Sequence, residues 1–497
     1  MERGSGPTSA WRALPYLIYD LSESYLNLTH FEEMTADSGA FLRTATHKSA
    51  FGMSQLPEEI IEEIFSHLSV QYIEKDAHVD EQKLRLHTLF DGCLVSRAFH
   101  RIIRPICFRT LNVSYYGSSR LFRSAVHVSR MLVRDLDTRE HVRHLRWTAY
   151  ARDGTTHDVA SVMRPSNESS LTDSIADSPG SFSLQSSSPP DDQPGDPPDL
   201  VLARFLFLCC NLETIIIGDQ QSLQVPKLVQ HALDVEPAAQ RFLPLRKVRS
   251  INLSYVFAAS NRDLSTLAPF FALPSLQFLG IERHRCNGRF GLKDGMASKL
   301  KHLELRQVEI DGAGLAKILR ACPSLRYLEL TLSFQLLQAG LTTYADLGDA
   351  VRAHGSLLET LVVSQKDLFK ALSDIVPPFG DLHALSALRS LHIDVDMLWG
   401  WAPEGTDMRA APLQTLLPRS VASLSLGRPQ FSSAANFDAY LGVAMVDERF
   451  ASVQTLRMSG SRQFLECSTV GSIPVEGWEL TGMSEPYAAQ WVECRRR

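Results

Sequence analysis

The sequence predicts an α/β chain: a short helical unit followed by an irregular solenoid, with a parallel sheet on its concave face and helices on its convex face. Three observations carry that expectation. A six-residue pattern, apolar-x-x-apolar-x-apolar, returns repeatedly beyond residue 200, the segments between its copies have helical periodicity, and the residues alternating with the apolar ones are mostly polar. At 497 residues the chain is too long for one ordinary core, so two to four structural units are expected.

The pattern reads LETIII (Leu212, Ile215, Ile217), VRSINL (Val248, Ile251, Leu253), LQFLGI (Leu276, Leu279, Ile281), LKHLEL (Leu300, Leu303, Leu305) and LRYLEL (Leu325, Leu328, Leu330). LETLVV, LRSLHI, VASLSL and VQTLRM continue it from Leu358, Leu388, Val421 and Val453. VRHLRW and FRTLNV precede it at Val142 and Phe108. Leu276 and Leu300 are 24 residues apart, Leu300 and Leu325 are 25 apart, and the next two steps are 33 and 30. Side chains alternate along a strand, so Leu328 and Leu330 point into a core while Tyr327, Glu329 and Thr331 point out. Between the copies, DGAGLAKILRACPSL sets Leu315, Ile318 and Leu319 on one helical face, and TYADLGDAVRAHGSL does so with Leu347 and Val351. No single unit can bury its own apolar edge, so the units must stack. The competing fold, a doubly wound domain, needs helices on both faces and continuously apolar strands. Polar residues at the outward positions (His302, Glu304, Arg306, Glu329, His392, Asp394) argue against it. Over about 200–470 the sequence resembles leucine-rich repeat proteins, whose units run ~20–29 residues, with irregular rather than consensus repeats.

Hydrophobic content of 44%, charged content of 21% and a net charge of −6 describe a soluble globular protein, not a general nucleic-acid binder. The eight cysteines form no CxxC pair and no zinc-ligand spacing, as expected of a reduced intracellular chain. No signal peptide opens the sequence, and its longest apolar run, LARFLFLCC, is too short to cross a bilayer. The expected location is therefore cytoplasm or nucleus, away from membranes. Residues 151–199, with SPGSFSLQSSSPPDDQPGDPPD, have too few apolar residues to offset the entropy of ordering, so a disordered linker is expected there.

The amino-terminal region reads differently. In LPEEIIEEIFSHL, Pro57 suits a first helical turn, and Glu58 and Glu59 complement the helix dipole. Ile60, Ile61, Ile64, Phe65 and Leu68 form an apolar stripe, with Glu62, Glu63, Ser66 and His67 facing away. A second cluster follows in LFDGCLVSRAFHRIIRPICFRTL, where Leu94, Val95, Phe99, Ile102 and Ile103 keep helical spacing and Pro105 is expected to end the helix. Leu-Pro-x-Glu-Ile-x-x-x-Ile-x-x-x-Leu followed by Leu-Val-Ser-Arg-x-Phe resembles the F-box motif, over residues 54 to about 111, and the trailing PICFRTL looks like the end of F-boxes in fungal-type chains. The insertion Ser69 to Thr88 is longer and more charged than the connection usual in that family.

The resemblance implies a partner: the Skp-type adaptor of a cullin–RING ubiquitin ligase, contacted or supported by Leu56, Pro57, Ile60, Ile64, Leu68, Leu94, Val95 and Phe99. It implies a non-catalytic, substrate-recognition subunit whose repeats bind a protein client. The alternative is a leucine-rich repeat scaffold that engages no ligase. The domain plan has six parts: an unassigned extension at 1–53, the F-box at 54–111, first repeat-like strands at 108–150, the linker at 151–199, the solenoid at 200–470 and a cap or tail at 471–497.

No phosphate loop, dinucleotide fingerprint, nucleophile elbow or zinc-protease motif occurs in the sequence, and no cofactor is expected. The two carboxylates of IDVD (Asp394, Asp396) read as neighbours on one strand face rather than as a metal site, and His141 and His144 read as an exposed strand edge. Cys209 and Cys210, in an apolar run, read as buried thiols. The expected client surface is the outward sheet face: Phe278, Glu282, His302, Glu304, Tyr327, Glu329, His392, Asp394 and Asp396. Its acidic and aromatic character fits a basic, partly apolar client segment.

Overall fold

The computed structural model describes residues 57–62, 97–115, 128–129, 132–133, 135–149, 198–219, 226, 229–230, 233, 245–254, 267–282, 285–286, 295, 297–333, 342–366, 376–400, 412–427, 447–459, 478–483 and 491–496. Leu56, Ile64, Leu68, Leu94, Val95, the 1–53 extension, the insertion at 69–88 and residues 151–197 lie outside the described residues. The chain divides into two units, Met1–Leu111 and Asn112–Arg497.

In the first unit, α1 (Arg97–Arg109) buries Phe99, Ile103, Ile106 and Cys107, a one-face spacing of four, three and one residues. Ile61, from the helical turn at residues 58–62, packs into the same cluster. Pro105 does not end the helix, contrary to the sequence expectation. Proline removes one backbone hydrogen bond, at a cost of about 3 kcal/mol. The apolar face runs on through Ile106 and Cys107, and burying side chains of this kind, at ~1.5–3 kcal/mol for a large one, offsets that loss.

The second unit is built on a sheet whose fourteen strands run β1 (Thr110–Tyr115), β2 (His144–Ala149), β3 (Thr214–Asp219), β4 (Ser250–Ser254), β5 (Phe278–Glu282), β6 (Arg285–Cys286), β7 (His302–Ile310), β8 (Tyr327–Ser333), β9 (Thr360–Lys366), β10 (Ser390–Asp394), β11 (Ser423–Gly427), β12 (Thr455–Ser459), β13 (Trp478–Met483) and β14 (Trp491–Arg496). Spatial order follows chain order, except that β6 pairs only with β7 and that β14 comes between β12 and β13. From β2 to β12 neighbours are parallel, and β12–β14 and β13–β14 are antiparallel. Sequential parallel order with one strand per unit is compatible with a leucine-rich repeat solenoid and incompatible with double winding, which reorders strands.

The register shows why the six-residue pattern predicted the sheet. Its second apolar position falls on one row: Leu145 pairs with Ile215, then Ile251, Leu279, Leu303, Leu328, Leu361, Leu391, Leu424 and Leu456 in turn. All three apolar positions are buried in the ten units from Val142 to Met458, with Leu325 the most exposed at 4%. Ahead of each strand, one carbonyl accepts two N–H groups of the next unit. Arg143 O accepts from Glu213 N and Thr214 N (2.7 and 3.1 Å), and the arrangement repeats as far as Ala422 O with Gln454 N and Thr455 N (2.8 and 3.1 Å). Register is thus locked at the amino-terminal ends of β3, β4, β5 and β7 to β12.

The connectors are the irregular part. They hold α2 (Leu136–His141), α3 (Pro198–Leu208), the single-turn α4 (Ala268–Phe271), α5 (Gly312–Ala321), α6 (Tyr344–His354), α7 (Val395–Trp399) and short 3₁₀ turns ahead of β11 and β12. α5 buries Leu315, Ile318 and Leu319 and α6 buries Leu347 and Val351, on the expected faces. Asp311 caps α5 by accepting from Gly314 N at 2.6 Å, and Thr343 and Asp346 form a reciprocal capping box on α6. α3 begins at Pro198, inside the stretch expected to be linker. His141 ends α2 and His144 opens β2, so the pair does not form one strand edge.

Candidate functional site

Parallel in-register strands stand about 4.8 Å apart, so equivalent outward residues of successive units touch. Phe278, His302 and Tyr327 occupy one outward row on β5, β7 and β8. The result is a three-ring stack. The Phe278 and His302 centroids are 4.7 Å apart at 36°, and those of His302 and Tyr327 are 3.7 Å apart at 9°. All three residues are half-buried, and the His302 ring lies between the other two.

The next outward row brings Glu304 and Glu329 side by side. Like charges so placed repel, and Arg306 resolves the conflict. Its Nη2 lies 2.9 Å from Glu304 Oε2 and its Nε donates to Glu329 Oε1 at 2.7 Å. Burial alone would lower the Arg306 guanidinium, but the two carboxylates outweigh it and hold the pKa above its usual value. The aromatic row contributes as well: His302 Nε2 lies 2.9 Å from Glu304 Oε1, and Tyr327 OH donates to Glu329 Oε2 at 3.2 Å. Burial first, then Glu329, pushes the Tyr327 phenol up to about 12. Immediately after Arg306, Gln307 takes a left-handed φ of 52° where β7 slips register against β8. This bulge follows the pairing of Arg306 with Thr331 and lets β7 run on to Ile310.

Five of the nine residues expected to form a client surface therefore meet in one patch: Phe278, His302, Glu304, Tyr327 and Glu329. Glu282 is at the end of β5, in register with Arg306. His392 lies further along the sheet, with Nδ1 2.7 Å from Ser425 Oγ. Burial, then Arg457, lowers its pKa. Asp396 does not belong to the outward face. Asp394 is 9% exposed at the end of β10 and accepts the Gln365 N–H at 2.7 Å, and Asp396 is in the first turn of α7. IDVD is thus a strand turning into a helix, so its carboxylates do not share a strand face. Arg306 is the residue the expected set omitted. Its position two residues past Glu304 on one strand was the available signal.

In the first unit, Pro57 and Ile60 are exposed, Ile60 at 37%, whereas Ile61 and Phe99 are buried. Ile60 N and Ile61 N both bond Pro57 O, at 3.1 and 3.2 Å, so Pro57 opens a helical turn as expected. Glu58 and Arg101 form an ion pair between that turn and α1. Cys209 and Cys322 are buried free thiols, pushed by desolvation to about 12. No cluster of metal-ligating side chains occurs among the described residues.

Residues 240–372 match the family model described as FBD-associated F-box protein At5g56370, LRR repeats. The matched span includes β4 to β9, and with them the stack and both glutamates. The match lies within the repeats, so these observations support a leucine-rich repeat region similar to that of this F-box protein. No curated protein matches the chain.

Proposed function

We propose that this chain is the substrate-recognition subunit of a Skp–cullin–F-box ubiquitin ligase, a non-catalytic protein of the fungal type acting in cytoplasm or nucleus. The observation that carries the reading is the split between Ile60 and Ile61. Ile61 fills the unit's own core with Phe99 and Ile103, while Pro57 and Ile60 are left outside. We read the apolar side chain left exposed on this first turn as a docking element, and burying it against a Skp-type adaptor would contribute ~1.5–3 kcal/mol. The direct run of α1 into β1 supports the fungal-type connection. The repeats then hold a client near the ubiquitin-loaded partner, and raised effective concentration does the rest. The three-ring stack and its bridged glutamates support a client segment that is basic and partly apolar: the rings supply stacking area, and Glu304 and Glu329 together exceed the charge of Arg306 by one.

The test is co-expression of the full chain with a Skp-type adaptor, followed by size-exclusion chromatography. Wild type should co-elute stoichiometrically, and Ile60→Asp should lose co-elution with unchanged thermal melting. A well-folded wild type that never co-elutes would leave the repeat-scaffold reading in its place.

A further inference from the structure

The amino-terminal ends of the strands carry a charge pattern that the outward face does not share. The four successive turns leading into β4, β5, β7 and β8 read LRKVR, LPSLQ, ASKLK and CPSLR, from Leu245, Leu273, Ala297 and Cys322. They hold Arg246, Lys247, Arg249, Lys299, Lys301 and Arg326, all exposed, and no acidic residue, in a protein of net charge −6. Lys247 donates to Asn211 Oδ1 at 2.6 Å and Arg326 pairs with Glu359 at 2.9 Å. Arg246, Arg249, Lys299 and Lys301 face no anionic partner among the described residues. The opposite ends of the parallel strands run the other way, with Asp219, Glu282 and Asp394 at the ends and Glu309 next to the end of β7, and among β2 to β12 only β9 ends in a cation, Lys366.

The backbone fixes the geometry of this rim. Arg249, Gln277, Lys301 and Arg326 sit one position ahead of their strands, and each carbonyl bonds the next unit, so their side chains form a single file. With strands about 4.8 Å apart, the file from Arg249 to Arg326 is roughly 14 Å long. Beyond it lies a shallow cleft of about 360 Å³, lined by Glu359, Ser386, Ala387, Arg389, Ser420 and Ala422. The Ser420 hydroxyl is buried there without a hydrogen-bond partner.

We propose that this rim binds an extended, carboxylate-rich segment of a partner protein, with side-chain carboxylates on Arg249 and Lys301 and the segment continuing past Arg326 and Glu359, whose charges cancel in their ion pair, to Arg389 at the cleft. A single file of separated cations suits an extended chain bearing discrete charges. A nucleic acid would bring a continuous line of phosphates toward Glu304 and Glu329 on the adjoining face, where they are repelled. The site is distinct from the aromatic stack, and it stands whether or not the chain docks on a ligase adaptor.

The test uses the full chain and fluorescein-labelled 12-residue peptides alternating Glu with Ser or Gln with Ser, with anisotropy read at 50 and 300 mM salt. The Glu peptide should bind at least tenfold tighter than the Gln peptide at low salt and weaken at high salt. Arg249→Glu, Lys301→Glu, Arg389→Glu together should cost at least another tenfold with unchanged melting, and the corresponding Gln triple variant should fall between. Equal binding of the two peptides, equal binding by wild type and triple variant, or tighter binding of a labelled oligothymidylate would each overturn the proposal.

Discussion

Tyr327 shows how one residue's surroundings set a property of the fold. Its ring closes the stack on His302 and its hydroxyl meets Glu329, so ionising it would put a second negative charge against a carboxylate in a partly dry place. The buried thiols of Cys209 and Cys322 resist ionisation by desolvation alone. All three have folded-state values near 12, raised from 10 for the phenol and 9 for the thiols. A group raised on folding contributes stability that is complete below its unfolded value and is lost as pH rises through its folded one. Stability should therefore fall from about pH 9 to about pH 12, and Tyr327→Phe with Cys322→Ala should flatten the slope. Urea unfolding at pH 8, 10 and 11 checks this, and a slope untouched by the double substitution would refute the assignment. Arg306 belongs to the same scale: without it two carboxylates on adjacent strands would face each other uncompensated.

At the scale of elements, α6 illustrates packing that overrides propensity. Gly348 lies mid-helix, where glycine costs roughly 0.5–1 kcal/mol relative to alanine. A Cβ there would run into the carbonyl oxygen of Phe379, which the Arg352 guanidinium also bonds at 2.6 Å. Phe379 N in turn bonds Met397 O at 2.8 Å, so the segment cannot back away freely. Gly348→Ala should thus destabilise by ~1–3 kcal/mol, the usual cost of overpacking, against the direction of helix propensity. A variant that melts at or above the wild-type temperature would show that the segment yields. The same reasoning explains α1, whose apolar face carries it through a proline that sequence rules place at a helix end.

At the scale of the whole second unit, the sheet is a row of strands in which each unit meets only its neighbours, so its ends decide its solubility. β14 covers β12 in antiparallel pairing from Thr455–Arg495 to Ser459–Trp491, and β13 backs β14. Trp478 and Cys494 are buried, and the Arg496 guanidinium lies 6.0 Å over the Trp478 ring. Ending the chain at Ser459 should expose the β12 edge and drive concentration-dependent association. Light scattering of the truncated chain checks this, and a stable monomer at high concentration would mean the edge needs no cover.

The sequence by itself determined eleven of the strands, β1 to β5 and β7 to β12, with their order and buried rows, because a period-two apolar pattern inside a repeating unit leaves one way to bury every apolar position at once. It also placed Phe278, His302, Glu304, Tyr327 and Glu329 on one outward face, since alternation alone decides which way a strand residue points. Only the tertiary structure decided what those residues do to one another. The stacking of three rings, the bridging of two glutamates by Arg306 and the hold of Asp394 on the Gln365 N–H all depend on register between residues 23 to 29 apart. That register is set by carbonyls ahead of each strand, and backbone hydrogen bonds leave no trace in side-chain pattern. The basic rim lies on that line of carbonyls, and its charges, scattered singly through the sequence, become one surface only when the units stack.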